Sequence, residues 1–172
     1  MNFKEKTVKE SYIYNGAILN LRRDEVMLPD GKTAFREIGE HSGGASVLCE
    51  HNGKVLIVKQ FRYPYKEEIY ELPAGKINKG EDPMETAKRE LKEEGGIIAN
   101  KLELMFTIYP TPGYTEEKIY LYRATDFVFD KQSLDDGEFL SCHWIEKEKL
   151  KDMIEKGEIK DAKTLIALLK IL

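Results

Sequence analysis

The sequence predicts an α/β (α+β) fold: a mixed β-sheet flanked by helices, with a small β-rich unit in front of it. Three observations carry this. Apolar residues alternate in short runs broken by Asn-Gly, Pro-Asp-Gly and His-Asn-Gly turns over the first sixty residues. One acidic segment then switches to helical spacing in the middle of the chain, and two more helical segments close it. With 172 residues and 41% hydrophobic composition, the chain is large enough for one main domain with its own core.

Taken in order, residues 10–15, 18–28 and 33–41 read as strands separated by Asn15-Gly16 and the Pro29-Asp30-Gly31 turn. They form an N-terminal β unit, residues 1–42, too small to bury its apolar face alone. Residues 45–49 and 55–60 read as buried strands around His51-Asn52-Gly53, and a strand near residues 69–72 leads into the acidic segment. Further strands are expected at 102–109, 118–125 and 140–145, and helices at 146–156 and 161–172; residues 43–172 form the main domain.

The acidic segment runs from Gly75 to Ile97. Asp82, Pro83 and Glu85 read as an N-cap, a proline at the first helical position and a capping-box acid, and Gly95 and Gly96 as the stop. Met84, Ala87 and Leu91 recur at helical spacing as a buried stripe, while Glu90, Glu93 and Glu94 project together. Like charges so spaced destabilise a helix by roughly 0.2–0.5 kcal/mol per pair, and a solvated acidic face is the ordinary alternative. The glycine loop ahead of it, Glu81 and Arg89 favour a different use, since clustered carboxylates beside a tight turn supply the oxygen ligands that hard divalent cations take.

These residues resemble the Nudix box: Gly75, Glu81, Arg89, Glu90, Leu91, Glu93, Glu94, Gly96 and Ile97 fill every fixed position of the pattern. Chance agreement at its charged and glycine positions is on the order of once in ten million windows. Gly95 departs from the threonine many members carry. The resemblance implies an α/β/α sandwich and a hydrolase of nucleoside diphosphates linked to a second moiety, with two or three magnesium or manganese ions as cofactor. It implies that Glu90, Glu93, Glu94 and the carbonyl of Ala74 hold metal, that Glu81 supports the cluster, and that Arg89 orients the carboxylates, with Arg89 and Glu93 counted among the catalytic residues.

Outside the box, Gln60-Phe61-Arg62, Glu71-Leu72-Pro73-Ala74-Gly75, Thr111-Pro112-Gly113 and Asp161-Ala162-Lys163-Thr164 look like the ADP-ribose pyrophosphatase branch of that family. On this resemblance Arg62 pairs with phosphate oxygens through its planar fork, and Phe35 stacks on adenine, as an aromatic from the neighbouring subunit does in some members. Ile18 stands where some members have a second stacking aromatic, so a two-sided clamp is not expected. Pro112, Gly113 and Glu117 are the other substrate contacts, Glu117 toward ribose hydroxyls. The acidic loop Asp135-Asp136-Gly137-Glu138 supplies the base: Glu138 as general base or further metal ligand, with Asp136 as its competitor.

The expected reaction is hydrolysis of ADP-ribose to AMP and ribose 5-phosphate, by a homodimer. The alternatives are a pyrophosphatase for another nucleotide sugar, such as ADP-glucose or GDP-mannose, and a non-catalytic nucleotide sensor, which the intact acids argue against. A net charge of −4 argues against general binding of nucleic acid, and no apolar stretch is long enough to span a membrane. Residues 1–7 lack a signal-peptide core, and Cys49 and Cys142 lack metal-ligand spacing, so free thiols in a reducing cytoplasm are expected.

Overall fold

The computed structural model describes residues 3–172; residues 1 and 2, the start of the N-terminal unit assigned from the sequence, lie outside the described residues. The chain divides into two compact units, one of the residues up to Gly43 with Tyr109–Lys118, the other of Gly44–Ile108 with Ile119–Leu172.

The first unit is a four-stranded antiparallel sheet made of β1 (Lys6–Lys9), β2 (Tyr12–Asn15), β3 (Asn20–Met27) and β4 (Thr33–Glu40). β3 is its hub, pairing with each of the other three. Gly31, at φ +85°, makes the turn between β3 and β4, where Leu28 and Lys32 close a backbone ring. The segment carrying Pro112 and Gly113 belongs to this unit: Gly39 donates to the Tyr114 carbonyl and accepts from Glu116.

The second unit holds β5 (Gly44–His51), β6 (Lys54–Arg62), β7 (Glu67–Glu71), β8 (Ala74–Lys76), α1 (Pro83–Gly95), β9 (Ile97–Ile108), β10 (Ile119–Phe129), β11 (Leu140–Glu146), α2 (Lys147–Glu155) and α3 (Ala162–Ile171). Its sheet runs β11-β6-β5-β10-β9, with β7 on β6 and β8 on β5. It is mixed: β10 lies parallel to β5 and the other pairs are antiparallel. Asn52 and Gly53, both at positive φ, form the two-residue turn joining β5 to β6.

Alternation along β5 divides the core. Val47 and Cys49 join Leu56, Ala87, Leu91, Ile97 and Tyr122 on the α1 side, while Leu48 joins Ile57, Leu72, Leu150, Met153 and Leu168 on the side of α2 and α3. Helices thus cover both faces, the α/β/α sandwich expected. β5 keeps pairing with β6 only near the hairpin; its first residues pair instead with β8, setting Gly75 opposite Ala45. The carbonyl of Pro73 accepts from both the Val47 amide and the Ser46 hydroxyl, fixing the approach to β8.

Several sequence expectations are adjusted here. β1 and the three-residue β8 are additional strands, and β9 begins five residues earlier than residue 102. Asp82 caps α1 through the Met84 amide, but Glu85 pairs with Lys88 at 2.7 Å rather than completing a capping box. Gly95 is the last helical residue, packed close to Leu56, and Gly96 in the left-handed region is the stop.

Leu91 is fully buried between α1 and the sheet. Leu91→Ala is expected to lower unfolding free energy by about 2–5 kcal/mol in a denaturant titration, the cost of a core cavity.

Candidate active site

β8 and α1 bring the box together. Arg89 donates from Nε to Glu81 at 3.0 Å, and from Nη1 to Glu90 at 2.7 Å and Glu93 at 2.9 Å. Glu81 also accepts from the Asn78 amide, so it ties the loop before the helix to the arginine. These bonds hold Glu81 down at about 2, chiefly through Arg89, and the same acids raise the arginine above its ordinary value. Arg89 is thus ion-paired with three acids of the box, Glu81, Glu90 and Glu93.

Glu90 and Glu94 face the sheet and are 7% and 3% exposed. Burial pushes Glu94 up to about 8, with Glu90 and Glu138 adding repulsion against a stabilising bond from the Ala74 amide. Glu90 is likewise raised, by burial first, although Arg89 opposes the shift. A methyl group on Gly75 would land on the Glu90 carboxylate, so only glycine leaves room for that acid against β8. The carbonyl of Glu94, at the end of the helix, accepts from the thiol of Cys142 at 2.7 Å and from Gln132 at 2.6 Å. Both cysteines are free, as expected, with burial holding Cys49 at about 12 and Cys142 at about 11.

The donor set is all oxygen and carries more negative charge than Arg89 balances. Among the described residues no three acidic, histidine or cysteine side chains converge in an ion-holding geometry. The buried acids nonetheless suit a divalent cation: Glu90 and Glu94 are driven toward the neutral form by burial, and a bound dication reverses that drive.

Arg62, at the end of β6, forms a bidentate pair with Glu71 at 2.5 and 2.8 Å, and its charge acts on Glu94. Glu138 is exposed on the turn closed by its own amide to Asp135, and its charge reaches Glu90 and Glu94; Asp136 is exposed on the same turn. In the first unit, Phe35 is 55% exposed rather than core, and the Arg23 guanidinium lies 3.9 Å over its ring, a contact the sequence does not reveal. Ile18 is also exposed. Pro112 and Gly113 sit on an exposed turn, and Glu117 is half-buried with an oxygen 3.3 Å from His41 Nδ1.

A NUDIX domain model matches residues 40–168, and a nucleoside diphosphate sugar hydrolase N-terminal domain model matches residues 5–38. The chain belongs to the Nudix family and is a Nudix hydrolase, a class that generally uses divalent metals such as Mg2+. It is 38% identical over 170 residues to an ADP-ribose pyrophosphatase of Bacillus subtilis (strain 168), covering 97% of this chain and 92% of that one. It is equally 38% identical over 168 residues to a methanol dehydrogenase activator of Bacillus methanolicus, covering 96% and 91%. A solved ADP compounds hydrolase shares the fold with a TM-score of 0.84 at 19% identity, covering 96% of this chain and 91% of that one.

Two outcomes follow from the geometry. Gly75→Ala is expected to weaken Mn2+ binding at least about tenfold in calorimetry, because the added methyl displaces a buried carboxylate while the helix stays folded. The metal-free protein is expected to lose stability as pH rises from 4.5 to about 8. In that window folded Glu94 still holds a proton that the unfolded chain has released. Thermal melts should show Glu94→Gln flattening that loss and Mg2+ reversing it. Glu71, held below its ordinary value by Arg62 and Lys163 despite its burial, acts in the opposite sense, and its contribution disappears as pH falls below 4.5.

Proposed function

We propose that this enzyme hydrolyses the diphosphate of ADP-ribose to AMP and ribose 5-phosphate. The observation that carries the reading is the site in which Arg89 gathers Glu90 and Glu93 and the Ala74 amide holds Glu94, in a chain alike over nearly its full length to an ADP-ribose pyrophosphatase.

Glu90, Glu93 and Glu94, with the carbonyl of Ala74, would hold two or three Mg2+ or Mn2+ ions. When bound, these clamp the pyrophosphate, offset charge on the leaving phosphate and acidify water. Arg89 keeps Glu90 and Glu93 from repelling each other out of place. Arg62 pairs with phosphate oxygens through the N–H groups that Glu71 leaves free. A loop carboxylate, Glu138 ahead of Asp136, takes the proton of the water that attacks phosphorus as the bridging P–O bond breaks. In the N-terminal unit, Phe35 is the adenine platform, and Pro112, Gly113 and Glu117 are the further substrate contacts.

The same reading includes a homodimer. The N-terminal unit leaves Val8, Tyr12, Ile13, Tyr14, Ile18, Leu19, Met27 and Phe35 exposed, side chains that a second subunit would cover. The two free thiols suit a reducing cytoplasm; among the described residues no helix is long and apolar enough to cross a membrane.

The test is AMP release from ADP-ribose with Mg2+, beside a panel of nucleotide sugars. ADP-ribose is expected to be the best substrate, and Glu94→Gln to reduce turnover by about a hundredfold or more. Preferred cleavage of GDP-mannose or ADP-glucose would move the assignment to another nucleotide sugar, and binding without cleavage would make the protein a sensor.

A further inference from the structure

Arg62 is held from behind by residues that come together only in the folded chain. Two of its nitrogens, Nε and Nη2, donate to Glu71, and a second cation, Lys163 at the start of α3, donates to Glu71 Oε2 at 2.6 Å and to Asp161 at 2.9 Å. The Glu71 carboxylate and the Lys163 ammonium are nearly enclosed, at 4% and 10% side-chain exposure, whereas Arg62 is 40% exposed. The guanidinium is locked on one side and has donors left on the other.

A buried carboxylate must be compensated, because its charge is costly away from water. With Arg62 as the sole partner, the whole of that compensation falls on the guanidinium, and Glu71 competes directly with any phosphate for it. Lys163 supplies a second charge to Glu71, and Asp161 in turn balances Lys163, so the four groups sum to zero and Arg62 is not drawn inward as the only counter-ion. Thr164, the next residue, does something different. Its Oγ1 accepts from the Leu72 amide at 2.8 Å and donates to Asp161, joining α3 to the end of β7 without touching Glu71.

We propose that Lys163 is a positioning residue for the diphosphate: by sharing Glu71 with Arg62 it keeps the outward N–H groups of the guanidinium aimed and available for phosphate oxygens. This rests on the reading of Arg62 as a phosphate contact. It assigns a role in substrate binding to the last helix, 101 positions beyond Arg62 in the chain.

The test combines turnover of ADP-ribose with calorimetric binding of ADP, which needs no cleavage. Lys163→Met is expected to raise KM, and the Kd for ADP, by about tenfold, the scale of one aligned charge-assisted hydrogen bond, with kcat within about twofold. Lys163→Arg should restore most of the loss. The double variant Arg62→Ala/Lys163→Met should bind no worse than Arg62→Ala, because Lys163 acts only through the arginine. Thr164→Val, which removes the hydroxyl's bond to the Leu72 amide and leaves the Lys163–Glu71 pair in place, should lower the melting temperature and leave KM unchanged. An unchanged KM in Lys163→Met, full multiplication of the two losses in the double variant, or an equal KM rise in Thr164→Val would each overturn the proposal. Absence of ADP-ribose cleavage, with ADP binding that still depends on Arg62 and Lys163, would remove the assigned reaction and leave the positioning role standing; absence of ADP binding to the unaltered protein would remove both.

Discussion

One guanidinium, that of Arg89, engages three glutamates, and the remainder of the second unit is arranged so that these acids can stay close together. Glu81 fixes the loop to it, Glu93 meets it one helical turn on, and Glu90 meets it while pressing into the space above Gly75. The β8 strand brings that glycine under the helix: β5 leaves β6 after the hairpin and takes β8 as its partner instead. The core beneath, Ala87 and Leu91 against Val47 and Leu56, holds α1 at the height this requires. A helix bearing three glutamates on one side is a poor helix alone; anchored by its buried face and its arginine, it keeps charge where a cation can use it.

How much of this is legible in the sequence depends on distance along the chain. The box is local, a loop and one helix, so its cap and the buried Ala87 and Leu91 follow from spacing, whereas Met84 is half-buried and Glu90 and Glu94 lie buried against β8 instead of projecting from the helix. Strands with clear alternation or a strong turn, such as those around Asn52-Gly53, are equally readable. β8 is not, because three residues centred on a glycine carry no period, and β1 is not, because its four residues are all exposed. The expected capping box fails for a different reason: Glu85 has a lysine one turn away, and in water that pairing competes with reaching back to the cap.

The contacts that sequence reasoning misses are the long-range ones. Glu71 and Lys163 are visible there only as parts of short segments with a family look, and their meaning appears once β7 and α3 are side by side. Arg23 has no signal at all; its neighbour across β3 and β4 must be known before its stacking on Phe35 can be seen. Here the arginine covers a ring face that would otherwise be the open platform, so any base that stacks at Phe35 meets a guanidinium or displaces it. Such pairs follow from strand register, which local patterning does not encode.

Everything in this site turns on whether Glu90, oriented by Arg89 over Gly75, and Glu94, held by the Ala74 amide, form a divalent-cation site. The most direct measurement is anomalous diffraction at the manganese edge from crystals of the protein grown with Mn2+ and a non-hydrolysable ADP-ribose analogue. Manganese peaks are expected at the carboxylates of Glu90 and Glu94, with Arg89 still on Glu81. Manganese absent from these acids while the analogue is bound would contradict a cation site there.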